Sequence, residues 1–300
     1  MFPKIFSGVK VLDFSRLLPG PFASELLIKM GAEVRCVIPR EGDPLLGAYS
    51  PFEALRQGKS FEEKNLKDPK DLAEVKGWLG QSQILLEGFR PGAMDRLGLG
   101  FQEAAKINPQ ILYVSLSGYG EKDEKFLKGA HDLNFLIDAG IYSILFEDHQ
   151  DTIPIFQLAD VFGGFYAAFL ILTAWVEHQG RPKAQHIRAA IVEGLKLLPE
   201  YLKGSTLDVL LPALTGQAAR YHIYRTKEGK RVFIGAIEGK FFRNLMTALG
   251  LAYGDHEEGP EVVAAIQKKF GEKTLEEWKK IFKDVDACVS FIPGREEVLS

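Results

Sequence analysis

Apolar residues in the first half of the chain come in short blocks that alternate with segments of helical spacing. The strand-like blocks cover residues 9–14, 33–38, 84–87 and 111–116. The helical segments cover residues 21–30, 71–79 and 102–107. Strands that alternate with helices predict a parallel sheet with helices on both faces. A Gly- and Pro-rich stretch at 40–52 predicts a loop.

The pattern changes near residue 221, where YHIYR and RVFIGAIE predict two strands joined by a turn at 227–230. Helical segments follow at 240–249, 260–270 and 274–282. This half predicts a smaller α+β domain. The predicted organisation is a large domain over 1–185, a linker helix over 186–210, a small domain over 211–285 and a C-terminal segment over 286–300.

The longest apolar segment is VFGGFYAAFLILTAW at 161–175. It is shorter than the roughly 20 residues that span a bilayer. A buried helix that begins at Asp160 is therefore expected.

The net charge and the cysteine content of the chain disfavour several classes of function. The chain has 37 Lys and Arg against 40 Asp and Glu, a net charge of −3, so no basic field favours nucleic acid or an anionic membrane. Cys36 and Cys288 lie too far apart in sequence for a zinc-ligand spacing, and no metal is expected. Low cysteine content and an N-terminus without a signal-peptide pattern predict a cytoplasmic protein.

Common catalytic motifs are missing from the sequence. Gly118 and Gly120 follow a strand-like block, but the third glycine of a dinucleotide-binding loop is absent. G-x-x-x-x-G-K-[ST], G-x-S-x-G and H-E-x-x-H do not occur. Kinase, α/β-hydrolase and zinc-protease functions are therefore disfavoured.

Four polar residues lie within apolar or glycine-rich segments of the sequence. His131 and Asp132 occur in GAHDLNF, Asp160 in FQLADVFGG, and Glu238 in FIGAIEGKFF. Taken singly, His131 fits a core histidine, Asp160 a helix cap and Glu238 the end of a turn. The residues alone leave both structural and catalytic roles open.

Several long motifs, in order along the chain, resemble the family III CoA-transferases and, within them, the α-methylacyl-CoA racemases. The motifs are GVKVLDFSRLLPGPFASELLIKMGAEV, LLEGFRPGAMDRLGLG, NPQILYVSLSGYG, GAHDLNF, LADVFGG, YRTKEGKRVFIGAIEGKFF and TLEEWKKIFKDVDACVSFIP. The resemblance covers nearly the whole chain. It implies an α/β fold with a Rossmann-like, parallel-sheet large domain and a smaller α+β domain.

The resemblance also implies catalytic roles. His131 and Asp160 correspond to the two acid/base groups, and Glu238 to the residue that orients His131. Inverting a carbon beside a thioester carbonyl requires one group to remove the α-proton and another to return a proton on the opposite face. The enolate oxygen needs hydrogen-bond donors, which backbone N–H groups at the start of the 160–175 helix are expected to supply.

A second set of residues is implied to bind CoA or the substrate. The set is Arg40, Lys59, Lys64, Asn65, Leu66, Lys67, Arg90, Ala130, Asp132, Leu133, Asn134 and Phe135. Lys and Arg are the residues that phosphate groups require. The chain departs from the family at Cys36 and Pro39, where basic residues are usual, and Arg35 and Arg40 stand beside these positions.

The favoured function is racemisation or epimerisation of a 2-methyl-branched acyl-CoA, with no cofactor other than the CoA of the substrate. One alternative is CoA transfer with Asp160 as nucleophile. Another is a non-catalytic acyl-CoA binder, which a compressed 187–219 segment and an early end relative to the family would fit. The resemblance implies an interlocked homodimer, and an apolar face through Ile191, Leu195 and Leu198 is expected to contact the partner.

Overall fold

A computed structural model describes residues 2–40, 53–146, 152–202, 214–252 and 259–299. Apart from Arg40, the loop predicted at 40–52 lies outside the described residues. The chain divides into two compact units, Met1–Tyr201 and Leu202–Ser300.

The first unit is built on a parallel sheet. Its strands are β1 (Lys10–Asp13), β2 (Glu33–Ile38), β3 (Lys59–Glu63), β4 (Ile84–Glu87), β5 (Leu112–Ser117) and β6 (Gln185–Ala190). Their order is β3-β2-β1-β4-β5-β6, and every adjacent pair is parallel. The direction of winding reverses between β1 and β4, which is where ligands bind in open sheets of this kind. The predicted parallel sheet is confirmed.

Helices cover both faces of this sheet. They are α1 (Pro19–Lys29), α2 (Pro69–Leu79), α3 (Ala93–Arg96), α4 (Phe101–Ile107), α5 (Asp132–Asp138), α6 (Ile141–Phe146), α7 (Leu158–Gly180) and α8 (Ile191–Leu195). Leu86 and Val114 face a core formed with α1, α5, α7 and α8. Leu85 and Tyr113 face a separate core formed with α2, α3 and α4. Successive residues of a strand point to opposite faces, which explains this division.

The long apolar segment forms the helix α7, as predicted, but the helix starts at Leu158 and is only partly buried. By length and composition α7 could cross a membrane, and 33% of its most apolar window is buried within the protein. Its glycine pair lies at close contacts. A Cβ on Gly164 would be 2.6 Å from the Pro19 carbonyl oxygen, and one on Gly163 would be 2.7 Å from Ile191. The glycines therefore let α7 pack closely against α1 and α8.

The predicted linker helix over 186–210 is wrong at its start. Residues 185–190 form β6, which pairs with β5 at Leu112↔Gln185 and completes the sheet. The first unit therefore extends to Tyr201 and does not end at 185. Ile191 and Leu195, expected on a partner-facing surface, are 3% and 0% exposed in the core of the first unit. These two residues therefore pack within their own subunit, whereas Leu198, the third residue of the predicted face, is 43% exposed.

The second unit contains the predicted hairpin. Its elements are β7 (Tyr221–Arg225), β8 (Arg231–Gly235), α9 (Gly239–Leu249), α10 (Pro260–Phe270), α11 (Leu275–Phe282), β9 (Val289–Phe291) and α12 (Arg295–Leu299). The sheet is antiparallel in the order β7-β8-β9. Because β9 pairs with β8, the predicted end of the small domain at 285 is wrong. Tyr224, Phe270 and Trp278 are fully buried at its centre.

Candidate active site

The N-termini of α5 and α7 are joined by one carboxylate. Asp132, the first residue of α5, accepts the Asp160 backbone N–H at 2.9 Å through Oδ1, and it also accepts the Ala159 N–H. A carboxylate is favoured at the start of a helix because it pairs with unsatisfied N–H groups and with the helix dipole. Asp132 therefore fixes the start of α7 to the segment that carries His131.

Asp160 lies in the first turn of α7 and is 8% exposed. Its carboxylate accepts no hydrogen bond from the part of the chain that the structure describes. Burial and, as the smaller cause, the negative charge of Asp132 together raise the pKa of Asp160 to about 6, although His131 opposes the shift. An acid with a pKa near neutrality can both remove and return a proton at physiological pH.

His131 immediately precedes α5 and is exposed. Its backbone N–H donates to Asn134 Oδ1 at 3.1 Å, which holds the start of the helix. Asp132 directly follows His131 and accepts the Asp160 backbone N–H at 2.9 Å, which places the start of α5 next to the start of α7. The structure therefore brings His131, Asp132 and Asp160 together, and Asn134 supports them.

The expected donors for an enolate oxygen are not available at the start of α7. The Ala159 and Asp160 N–H groups donate to Asp132. The Leu158 and Val161 N–H groups donate to the carbonyl oxygens of Phe156 and Gln157, at 2.9 and 3.1 Å. That expectation is wrong because these four N–H groups already have hydrogen-bond partners within the protein.

A polar cluster that sequence reasoning missed holds the other end of α5. Asp138 accepts the Tyr119 hydroxyl at 2.7 Å and Lys125 Nζ at 2.6 Å, and both hydrogen bonds lower the pKa of Asp138. Phe135, predicted to line the substrate site, is 6% exposed and packs edge-on against Tyr119. The missing side chain of Gly118 makes room for its ring. Phe135 therefore anchors α5 in the core.

The predicted CoA residues Lys64, Asn65, Leu66 and Lys67 line one cleft of about 180 Å³. Arg16, Pro39 and Phe89 line the same cleft, and the Arg16 guanidinium lies 5.6 Å from the centre of the Phe89 ring. Arg16 follows β1 and Phe89 follows β4, so the cleft is at the point where the winding reverses. Arg16 was missed, although it stands inside the motif SRLLPGP.

Ion pairs determine which basic groups of this cleft are available. Lys64 Nζ lies 2.7 Å from Glu74. Arg40 lies 2.9 Å from Asp71, which also accepts the Asn65 N–H at 2.7 Å. These contacts hold the pKa of Asp71 below its usual value, with the Asn65 N–H as the larger cause. Lys67 is exposed and has no acidic partner among residues that the structure describes.

Other predicted site residues lie elsewhere. Lys59 is half-buried in β3 and donates to the Pro21 carbonyl at 2.7 Å, a contact that joins the sheet to α1. Arg90 lines a different, larger cavity. Ala130 and Leu133 pack against the core of the first unit. Glu238 belongs to the second unit, where it precedes α9 and is exposed, so its role towards His131 stays a prediction.

Known proteins give the family context for this arrangement. The chain is 33% identical to human alpha-methylacyl-CoA racemase over 97% of its length and 78% of the relative. It is 30% identical to the mouse protein of the same name, over 98% of the chain and 79% of the relative. An acetyl-CoA:oxalate CoA-transferase of Acetobacter aceti is 33% identical over 63% of the chain and 51% of the relative.

Solved structures have the same fold at lower identity. A hypothetical protein of Mycobacterium tuberculosis matches with a TM-score of 0.82 and 22% identity, over 100% of the chain and 86% of that structure. A CAIB/BAIF family protein of Brucella suis matches with a TM-score of 0.81 and 20% identity, over 98% and 85%. The family model of CoA-transferase family III matches residues 6–300. On this fold, these motifs and these relatives, the chain belongs to CoA-transferase family III.

Proposed function

We propose that this protein racemises or epimerises 2-methyl-branched acyl-CoA thioesters. The observation that carries the proposal is the hydrogen bond from the Asp160 N–H to Asp132, which joins the segment of His131 to a buried Asp160 carboxyl whose pKa is raised to about 6. Relatives named as racemases support this choice within the family. A role in fatty acid metabolism would follow from such a substrate.

The proposed reaction uses the two groups in turn. Asp160 takes the α-proton from one face, and the C–H electron pair moves into the thioester carbonyl to give an enolate. Protonated His131 then returns a proton to the opposite face, and the C–H bond forms again with inverted configuration. In the opposite direction His131 is the base and Asp160 the acid, so the reaction is a 1,1-proton transfer that needs neither a metal nor a nicotinamide.

Deuterium exchange tests the proposal. The protein is incubated with a 2-methylacyl-CoA in D₂O, and the α-position is followed by NMR without added metal. Exchange well above the rate in buffer is expected, and a variant with both His131→Ala and Asp160→Asn provides the control. Exchange at the buffer rate across short, long and sterol-like acyl groups would reject the racemase and leave acyl-CoA binding as the better account.

One observation favours CoA transfer as a second candidate. The Asp160 carboxylate accepts no hydrogen bond from described residues, so its oxygens are free to attack a thioester carbonyl. Attack would form a mixed anhydride on Asp160 and release the CoA thiolate, which would attack the Asp160 carbonyl to give an Asp160 thioester and release the donor acid as its carboxylate. An acceptor carboxylate would displace the thiolate from this thioester to form a second mixed anhydride. The thiolate would then attack the acceptor's acyl carbon, which gives the new acyl-CoA and frees the Asp160 carboxylate. Hydroxylamine would attack the activated Asp160 carbonyl of the anhydride, release the acyl group as its carboxylate and leave an Asp160 hydroxamate. Recovery of that hydroxamate would identify a transferase, and a racemase would give none.

We also propose a homodimer, with a contact surface on α7 in place of the face that was expected from the sequence. Phe165, Phe169 and Val176 of α7 are 50%, 59% and 61% exposed. Large exposed apolar side chains on one helix are typical of an association surface. Light scattering at micromolar concentration should give about twice the 33.4 kDa of one chain.

A cytoplasmic location is proposed because both cysteines are free thiols.

A further inference from the structure

A second cavity in the first unit, of about 560 Å³, lies along β5 and β6 and at the end of β4. It is on the sheet face covered by α4, because Glu87 and Ser115 follow Leu85 and Tyr113 by two residues. The site of His131 and Asp160 is on helices of the opposite face. The volume is within the range of small-molecule sites, and four aromatic residues line it. These are Phe89, Phe101, Tyr113 and Phe126.

Three polar side chains form a hydrogen-bonded chain on the floor of this cavity. Ser115 Oγ lies 2.9 Å from His186 Nε2, and the Ser115 side chain is also hydrogen-bonded to the Glu87 carboxylate. Glu87 accepts the Phe89 N–H at 2.8 Å as well. The His186 ring is stacked on Phe101 at 4.9 Å, which fixes its plane. The floor is therefore preorganised.

This chain of hydrogen bonds determines which histidine nitrogen can accept. Burial, with Arg188 as a second cause, lowers the pKa of His186 to about 4, so the ring is neutral at neutral pH. When the Ser115 hydroxyl donates to the Glu87 carboxylate, Ser115 Oγ accepts from His186 Nε2–H. His186 Nδ1 is then an acceptor, and it has no hydrogen-bond partner within the described residues.

Charges divide the cavity into two ends. Glu87 and Asp95 both act electrostatically near the floor, where Asp95 influences the pKa of Glu87 and of His186. Arg90, Lys122 and Glu193 line the exposed part, and none of the three forms an ion pair in the described part of the chain, so together they carry one net positive charge. Arg188 is engaged by Glu121 at 2.5 Å. An anion is therefore favoured at the exposed end and a hydrogen-bond donor at the floor.

We propose that this cavity binds an aromatic carboxylate that carries a hydrogen-bond donor at the end opposite its carboxylate. The carboxylate pairs with Arg90, whose planar guanidinium suits two carboxylate oxygens. The ring lies among the aromatic side chains, and the donor meets His186 Nδ1. The inference does not depend on the racemase proposal, because it concerns binding on the other face of the sheet.

Calorimetric titration with two acids tests the proposal. The full chain is titrated with 4-hydroxyphenylacetate and with phenylacetate, which lacks the donor. We expect 4-hydroxyphenylacetate to bind about tenfold more tightly, the effect of one hydrogen bond. No heat from either acid up to about 10 mM, or equal affinity for both, would overturn the proposal.

Variants locate the binding. His186→Phe keeps a flat ring against Phe101 but removes Nδ1, so it should weaken 4-hydroxyphenylacetate about tenfold and leave phenylacetate unchanged. Ser115→Ala changes less volume and serves as the second variant if His186→Phe does not fold. It should also weaken the binding of 4-hydroxyphenylacetate and leave that of phenylacetate unchanged. Arg90→Gln should weaken both acids. Unchanged affinity in Arg90→Gln, or displacement of the acids by CoA, would place the binding elsewhere and reject the assignment.

Discussion

Two buried carboxylates, on opposite faces of the sheet, differ in the hydrogen bonds that they accept. The Glu87 carboxylate is hydrogen-bonded to the Ser115 hydroxyl and the Phe89 N–H. Ser115 is in turn hydrogen-bonded to His186. Asp160 faces another carboxylate, Asp132, and its own oxygens accept no hydrogen bond from described residues. Burial raises the pKa of both carboxyls.

The difference separates a binding arrangement from a reactive one. When fixed donors hydrogen-bond to a carboxylate, they stabilise its ionised form and lower its proton affinity. A desolvated carboxylate without donors retains high proton affinity, as a general base requires. Asp132 shows the same contrast within one site, because it is hydrogen-bonded to two backbone N–H groups while Asp160 is not.

The largest effect is expected when Asp160 loses its ability to ionise. Asp160→Asn keeps the shape of the side chain but cannot take the α-proton, so α-proton exchange of the enantiomer whose proton faces Asp160 should fall by about 10²–10⁴-fold. Circular dichroism should show an unchanged fold. If both enantiomers exchange within a few-fold of the rate in the unsubstituted protein, Asp160 is a structural acid like Asp132.

The same substitution should stabilise the protein near neutral pH. The folded pKa of Asp160, about 6, is above the ordinary value of 3.8. Its contribution to stability is therefore full below about pH 3.8 and is lost as the pH rises through about 6. Asp160→Asn should raise the free energy of unfolding by up to about 3 kcal/mol near pH 7 and by little near pH 4. Denaturant titrations at both pH values measure this difference, and an equal gain at both would contradict it.

Asp132 should show the opposite behaviour on substitution. Asp132→Ala leaves the Ala159 and Asp160 N–H groups without a partner and should cost about 1–3 kcal/mol of stability. Asp132→Asn keeps an acceptor oxygen and removes a charge that raises the pKa of Asp160. It should lose less stability and move the acidic limb of the pH–rate profile to lower pH. A limb that does not move would show that the two carboxylates are not coupled.

The smallest effect is expected in the cleft at the reversal of the sheet. Lys67 has no acidic partner among the described residues, whereas Lys64 is 2.7 Å from Glu74. Lys67→Ala should therefore raise KM for an acyl-CoA a few-fold, an effect of about 1 kcal/mol that weakens with salt. Lys64→Ala should change KM less. The reverse order would mean that the Lys64 ion pair opens on binding.

The sequence predicted the strands that have mostly apolar centres. β1, β2, β4 and β5 occupy the four inner positions of the sheet and were all identified, because both of their faces are covered. β3 and β6, with the sequences KSFEE and QHIRAA, were missed because they are the two edges and carry polar residues. Missing β6 also hid His186 and misplaced the end of the first unit.

The candidate site was predicted as a set of residues but not as a set of contacts. GAHDLNF and LADVFGG identified His131, Asp132 and Asp160, whereas the hydrogen bond from the Asp160 N–H to Asp132 joins residues 28 positions apart. Spacing along the chain does not encode such a contact. The same reason explains why the Tyr119, Lys125 and Asp138 cluster was missed.

The central claim is that His131 and Asp160 act on opposite faces of one carbon. Exchange in D₂O with each separate enantiomer of a 2-methylacyl-CoA tests it most directly, in His131→Ala and in Asp160→Asn. Two bases predict mirrored results: each variant loses inversion, yet keeps α-proton exchange only for the enantiomer whose proton faces the remaining base. Loss of exchange for the same enantiomer in both variants, or no loss in either, would contradict the two-base site.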